Sequence, residues 1–258
     1  MELTPLSPAP SEGRVFTDVA RAGLGDVAPS GRVRVDAIAR WLQDAAFADL
    51  VDSGLPDDGV WVVRRLRIRV ERFPRFREAA EVDTWCSGTG SLWAERRTTV
   101  RGADGGLVEA VALWVHLDPR GTRPRPMPEG FAEVYAPSAA GRRVRARLRH
   151  RATPPDGAEH VRWVFRVADL DLADHVNNAV YWQVLEERMA DAAPEPLDAE
   201  IEHRSPADVG EATVLTDGPS LWIADGGRTV LASLFVASPQ NLAFADEGSC
   251  LKANGSCA

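Results

Sequence analysis

The sequence is short of the features that mark several broad classes of protein. No stretch of its 258 residues approaches the roughly 20 uninterrupted apolar positions of a membrane-spanning helix. The opening Met1-Glu2-Leu3-Thr4-Pro5 lacks the basic-then-apolar pattern of a secretion signal, which sets the expectation of a cytoplasmic chain with no membrane association. Cysteine is scarce: Cys86, Cys250 and Cys257 are odd in number and show no metal-ligand spacing, so neither a disulfide framework nor a metal site is expected. Positive charge is not in excess either. A formal net charge of -8 argues against a nucleic-acid partner, whose binding domain is normally basic. What is present is a globular composition, 45% hydrophobic, enough for one large domain or two small ones around a sizeable core.

Hydrophobic periodicity divides the chain into two halves with one plan. In the first, residues 14–24 read as extended and residues 33–52 as a helix, with Val35, Ile38, Leu42, Ala45 and Ala46 at helical spacing. Strand-like runs follow at 60–71, 80–87, 93–101 and 107–117, the last two separated by the turn Ala103-Asp104-Gly105-Gly106. The second half repeats the order: a strand at 161–167, a helix near 176–190, and strands at about 199–205, 211–217, 220–225 and 228–237, with Asp225-Gly226-Gly227 as the matching turn. Leu42-Gln43-Asp44 answers Leu185-Glu186-Glu187, and Arg72-Phe73-Pro74 answers Arg204-Ser205-Pro206. A helix with one apolar stripe and a sheet with one apolar face bury each other, and two such units can join sheets edge to edge. The expected division is a first unit at 1–138, a linker at 139–159, a second unit at 160–238 and a disordered tail at 239–258. Two arginine-rich runs, 64–69 and 142–149, read either as solvated strand faces or as a dock for an acidic partner.

Several segments carry a resemblance. Trp61-Val62-Val63-Arg64-Arg65, Val70-Glu71-Arg72-Phe73-Pro74 and Val82-Asp83-Thr84-Trp85 with Ser87 and Gly90 occur in a distinctive order. Trp114-Val115, Thr122-Arg123 and Met127-Pro128 continue it. Together they resemble the acyl-acyl-carrier-protein thioesterases of plants and bacteria, from about residue 14 to 237. The resemblance implies an α+β fold class, a tandem (double) hot-dog with two long helices each packed on an antiparallel sheet. It also implies hydrolysis of fatty acyl thioesters of acyl carrier protein, with no cofactor. The segment Asp169-Leu170-Asp171-Leu172-Ala173-Asp174-His175-Val176-Asn177-Asn178 is similar to that family's Asp-x-Asn-x-His-Val-Asn-Asn stretch. By that similarity Asp171 and His175 are the catalytic aspartate and histidine; Asn177 is a third candidate, placed to cap or orient, or to hold substrate or water through its side chain or, preferably, its backbone N–H. The sequence departs from the family at Ala173, where an asparagine is usual. It also lacks the later Glu-Cys pair, for which only Pro206-Ala207-Asp208 stands.

The residues themselves support part of this. A helix starting near Val176 would leave its first N–H groups without intrahelical partners, a setting that holds an oxyanion. Asp171, just upstream, is placed to act as general base or as nucleophile, although Asp171 or Asp174 could equally cap the helix. Laid over the first half, Asp171, His175 and Asn177 fall on Ala28, Arg32 and Arg34, so one active site per chain is expected, with the first unit shaping the acyl pocket. Competing readings are an acyl-coenzyme A thioesterase, a non-catalytic acyl-thioester-binding module and a hydratase, since fold does not fix function. Acyl chain length is unreadable, and a monomer and a homodimer are both compatible with a duplicated chain.

Overall fold

The computed structural model describes residues 2–56, 58–189, 193–226 and 229–237, so the expected tail lies outside the described residues. Among the described residues alternating apolar positions produce ten strands: β1 Phe16–Arg21, β2 Val60–Arg72, β3 Ala79–Thr89, β4 Trp93–Gly102, β5 Leu107–Leu117, β6 Glu159–Phe165, β7 Leu197–His203, β8 Gly210–Asp217, β9 Ser220–Asp225 and β10 Val230–Val236. They form one sheet in the order β1-β3-β4-β5-β2-β7-β10-β9-β8-β6. The two halves therefore meet where β2 pairs antiparallel with β7, in a register that sets Leu66 opposite Ile201 and Arg67 opposite Glu200.

Helix α1, Val35–Asp52, lays its stripe of Val35, Ile38, Leu42 and Ala45 on the first half of the sheet. Its alanines let the helix approach the strands closely, and Ser53 and Gly54 end it, the latter at a φ of 67°. Helix α2, Phe131–Ala139, was not expected from the sequence and ends where the predicted linker begins. Pro137 lies in it and reads as a breaker, yet Phe131, Tyr135 and Ala139 pack with Cys86 and Ala94 as a small second core. Helix α3, Gln183–Met189, follows a 3-10 turn at Val180–Trp182. The helix expected near 176–190 thus begins later than predicted: the chain first turns through i to i+3 bonds, Val180 N–H to the Asn177 carbonyl and Trp182 N–H to the Ala179 carbonyl.

Arg65 and Arg67 of β2 do not lie on a solvated face, as one reading had it. Arg65 is buried, and its Nη1 donates to the Arg147 carbonyl at 2.7 Å. Arg67 grips Asp198 through two bonds of 2.8 and 2.6 Å. Glu200 and Glu202 of β7 face the same layer, where the backbone N–H groups of Thr4, Arg149 and His150 reach them. The predicted linker crosses this side of the sheet: Trp93 Nε1 donates to the Val144 carbonyl and Trp222 Nε1 to the Arg151 carbonyl, both at 2.9 Å.

A single apolar cluster runs through both halves. Ile201, fully buried between β2 and β10, sits at its centre. Ile201→Ala removes buried methylenes and leaves a cavity, so unfolding free energy in a urea titration should fall by about 2–5 kcal/mol with an unchanged m-value.

Candidate active site

Residues 166–179 form a tight loop between β6 and α3. Leu170 and Val176 bridge its base, and the Asp171 N–H donates to the His175 carbonyl at 2.9 Å. The Asp174 N–H returns to the Asp171 carbonyl at 3.0 Å, which puts Asp174 at a φ of 59°. Within this frame the Asp171 carboxylate is half-buried and held on both oxygens. Oδ1 accepts the Ala173 N–H at 2.9 Å, and Oδ2 accepts from Asn177 Nδ2 at 3.4 Å. Asn177 Oδ1 in turn accepts the Ala179 N–H at 2.9 Å, fixing its carboxamide. The His175 imidazole is exposed and has no partner among the described residues.

The loop is a backbone copy of one in the first half. Asp26, Ala28, Gly31, Arg32, Val33 and Arg34 make the same set of main-chain bonds as Asp169, Asp171, Asp174, His175, Val176 and Asn177, down to Val33 N–H to Pro74 and Val176 N–H to Ala207. Gly31 takes the left-handed φ, 81°, that Asp174 takes in the copy. The expected correspondence of Ala28, Arg32 and Arg34 with Asp171, His175 and Asn177 is therefore met by the bonding pattern. One local match shifts: Pro74 corresponds to Ala207, one residue beyond the Pro206 suggested by sequence. In the first-half loop Arg32 is buried in a two-pronged ion pair with Glu186 of α3, at 3.0 and 2.8 Å.

The expected oxyanion donors are not available. Val176 and Asn177 N–H are both spent, at 3.0 and 2.9 Å, on Ala207 and Asp169. The next N–H, that of Asn178, meets no acceptor among the described residues, and Asn178 and Ala179 line a narrow cleft with Gln43 and Leu42 of α1 and Trp114 of β5. Opposite the loop, Tyr181 is buried with its hydroxyl against the Ala207 backbone; burial, then the charges of Asp208 and Asp171, push its pKa above the ordinary phenol value.

Comparison with known proteins gives this arrangement a family. The model of the acyl-ACP thioesterase N-terminal domain matches residues 13–135, and that of the C-terminal domain matches residues 153–218. The chain belongs to the acyl-ACP thioesterase family. An uncharacterized protein of Mycobacterium tuberculosis strain H37Rv is 26% identical over 205 residues, spanning 78% of this chain and 82% of that one. A chloroplastic palmitoyl-acyl carrier protein thioesterase of Arabidopsis thaliana is 28% identical over 191 residues, spanning 66% of this chain but 46% of the plant protein. The crystal structure of an acyl-ACP thioesterase from Bacteroides thetaiotaomicron shares the fold, with a TM-score of 0.70, 18% identity, and coverage of 86% of this chain and 96% of that one. The fold is the tandem hot-dog.

Within an acyl-ACP thioesterase frame, the structure brings Asp171 and Asn177 into contact and sets His175 on the same loop, facing solvent. Ala173, where the family has asparagine, is exposed at the loop tip and contributes its backbone N–H to Asp171. Asp208 stands where the Glu-Cys pair is missing, exposed but within electrostatic reach of Tyr181. From the sequence Asn178 had a place in the similar stretch but no role, and Tyr181 and Gln43 had none. For Gln43 the signal was available in the match of Leu42-Gln43-Asp44 to Leu185-Glu186-Glu187.

Beneath Tyr181 the His203 ring stands edge-on at 5.0 Å and 87°, fully buried, with no partner for Nε2 among the described residues. Burial, reinforced by the charge of Arg64, lowers its pKa to about 3. Such a histidine takes up its proton on unfolding, so its contribution to stability is whole above the unfolded value of about 6.5 and is lost as pH falls toward 3. His203→Gln should therefore flatten the stability profile below pH 6.5 by up to about 1.4 kcal/mol per pH unit, measured by urea titrations across that range.

Proposed function

We propose that the chain hydrolyses fatty acyl thioesters of acyl carrier protein to the free acid and the carrier thiol, with Asp171 as the general base. The observation that carries this reading is the held carboxylate of Asp171 on the same loop as the open N–H of Asn178, at the edge of a largely apolar cleft. Asp171 accepts a proton from water as the water oxygen bonds to the thioester carbon. Asn178 N–H, in place of the Val176 and Asn177 donors expected from sequence, stabilises the oxyanion. The C–S bond then breaks and the thiolate leaves. His175, exposed on the same loop, protonates that sulfur and regains its proton from solvent, while Asp171 releases its own to solvent. Asn177 orients the Asp171 carboxylate through its Nδ2 bond. The first unit, residues 1–138, shapes the acyl cleft, residues 160–238 carry the Asp171 loop, and residues 139–159 join them.

In Asp171→Asn the carboxamide oxygen keeps the Ala173 N–H bond while the base is lost. Turnover in a thiol-release assay, run on matched acyl-carrier-protein and acyl-coenzyme A panels, should drop about 10²–10⁴-fold with little change in melting temperature. Near-normal turnover would transfer the role to Asp208 or Asp174. Equal turnover on the two panels would remove the preference for the carrier protein.

Of the arginine run at 142–149, Arg142 is committed to Glu95 and the Ser87 carbonyl, whereas Arg143, Arg145 and Arg147 point outward from the crossing segment. These three are suited to docking the acidic carrier. Reversing them to Glu should lower kcat/KM for carrier-bound substrate about tenfold at low salt, with the difference shrinking once the Debye length is cut to roughly 8 Å. The coenzyme A substrate serves as the control for an intact site.

A further inference from the structure

We propose that Gln43, carried on α1 in the first half of the chain, donates a second hydrogen bond to the thioester carbonyl oxygen of a substrate held by the Asp171 loop. The inference rests on the hydrolase reading and adds a catalytic residue to it.

The internal repeat carries the argument. The correspondence that pairs Ala28 with Asp171 and Arg34 with Asn177 continues, at one constant offset, to pair Val35 with Asn178 and Gln43 with Glu186. In the first half this geometry is filled. The Val35 N–H donates to Glu186 Oε1 at 2.5 Å, and the same oxygen accepts Arg32 Nη1 at 3.0 Å. An anionic oxygen, brought by the helix of the opposite half, thus sits on the backbone N–H that follows the loop. That spot binds an oxygen anion as built.

In the second half the same spot is open. The equivalent N–H is that of Asn178, the equivalent side chain from the opposite helix is Gln43, and both line one cleft. Among the described residues neither the Asn178 N–H nor the Gln43 carboxamide has a hydrogen-bond partner. The exchange of carboxylate for carboxamide is what the chemistry requires. A glutamate there would occupy the N–H, as Glu186 does, and repel a developing negative charge. A glutamine is neutral, leaves the N–H free and offers two N–H donors of its own. Asn178 N–H and Gln43 Nε2 then reach the carbonyl oxygen from two elements, and Asp171 brings the water. The half that lacks the Asp171 loop still supplies one group to the reaction.

Two measurements test this. Acyl-carrier-protein hydrolysis is compared over chain lengths from octanoyl to stearoyl in the wild type, Asp171→Asn, Gln43→Ala and Gln43→Glu. Gln43→Ala should lower kcat about 10²–10³-fold, the usual loss for one oxyanion donor, with KM and melting temperature little changed, and Gln43→Glu should fall at least as far. The infrared stretch of a ¹³C-labelled acyl-coenzyme A carbonyl, bound to Asp171→Asn, should lie below its value in water and move back toward it in Asp171→Asn/Gln43→Ala. A near-wild-type kcat in Gln43→Ala, or a carbonyl frequency indifferent to Gln43, overturns the inference while an inactive Asp171→Asn leaves the hydrolase reading standing. A wild type that turns over no thioester, or a fully active Asp171→Asn, overturns both.

Discussion

The antiparallel pairing of β2 with β7 decides the geometry of everything else. Six residue pairs, from Arg65 with Glu202 to Val70 with Leu197, join two five-stranded halves into one sheet. Because each half must cover one apolar face with its helix, the continuous sheet places α1 and α3 side by side on that face, where they share a core with the wholly buried Trp182. The consequence is reciprocity. Glu186 of the second half reaches Arg32 and Val35 of the first, and Gln43 of the first stands at the cleft bordered by Asn178 of the second.

The opposite face solves a different problem. At the β2–β7 seam it carries charge, with Arg65, Arg67, Glu200 and Glu202 all largely out of solvent. Burial alone would raise the Glu200 pKa, but the His150 ring 3.4 Å away, the hydrogen bonds from Thr4 and the charge of Arg65 hold it below the ordinary carboxylate value. Removing one member of such a set strands its partner, which is more damaging than replacing the set by apolar residues. The N-terminal residues around Thr4 and the crossing segment around Arg149 and His150 donate backbone hydrogen bonds to Glu200 and Glu202 in this layer.

The two loops show how one backbone supports opposite chemistry. Both close with the same main-chain bonds, and both need a left-handed residue, Gly31 in one and Asp174 in the other. In the first, the cation Arg32 and the anion Glu186 neutralise each other in a buried pair, so the position is sealed. In the second, Asp171 is tied only to an N–H and a carboxamide, and no cation is paired with it among the described residues.

The strands, their order, the start of α1 within two residues and the correspondence of the two loops were all determined by the sequence, because alternation, helical spacing and turn residues are local signals. The Asp171-to-Asn178 segment stood out by its resemblance to the corresponding stretch of the acyl-ACP thioesterase family. What the tertiary structure decided was where each polar group finds its partner. Helix α2 forms despite Pro137 because Phe131 and Tyr135 have a surface to cover. Arg65 and Arg67 turn inward because β7 brings Glu200 and Asp198 beside them. The helix after the Asp171 loop starts late, and its expected donors are lost to Ala207 and Asp169, which accept the N–H groups of Val176 and Asn177. A hydrogen-bond donor is visible in sequence, but its acceptor belongs to whichever distant segment the fold brings within 3 Å.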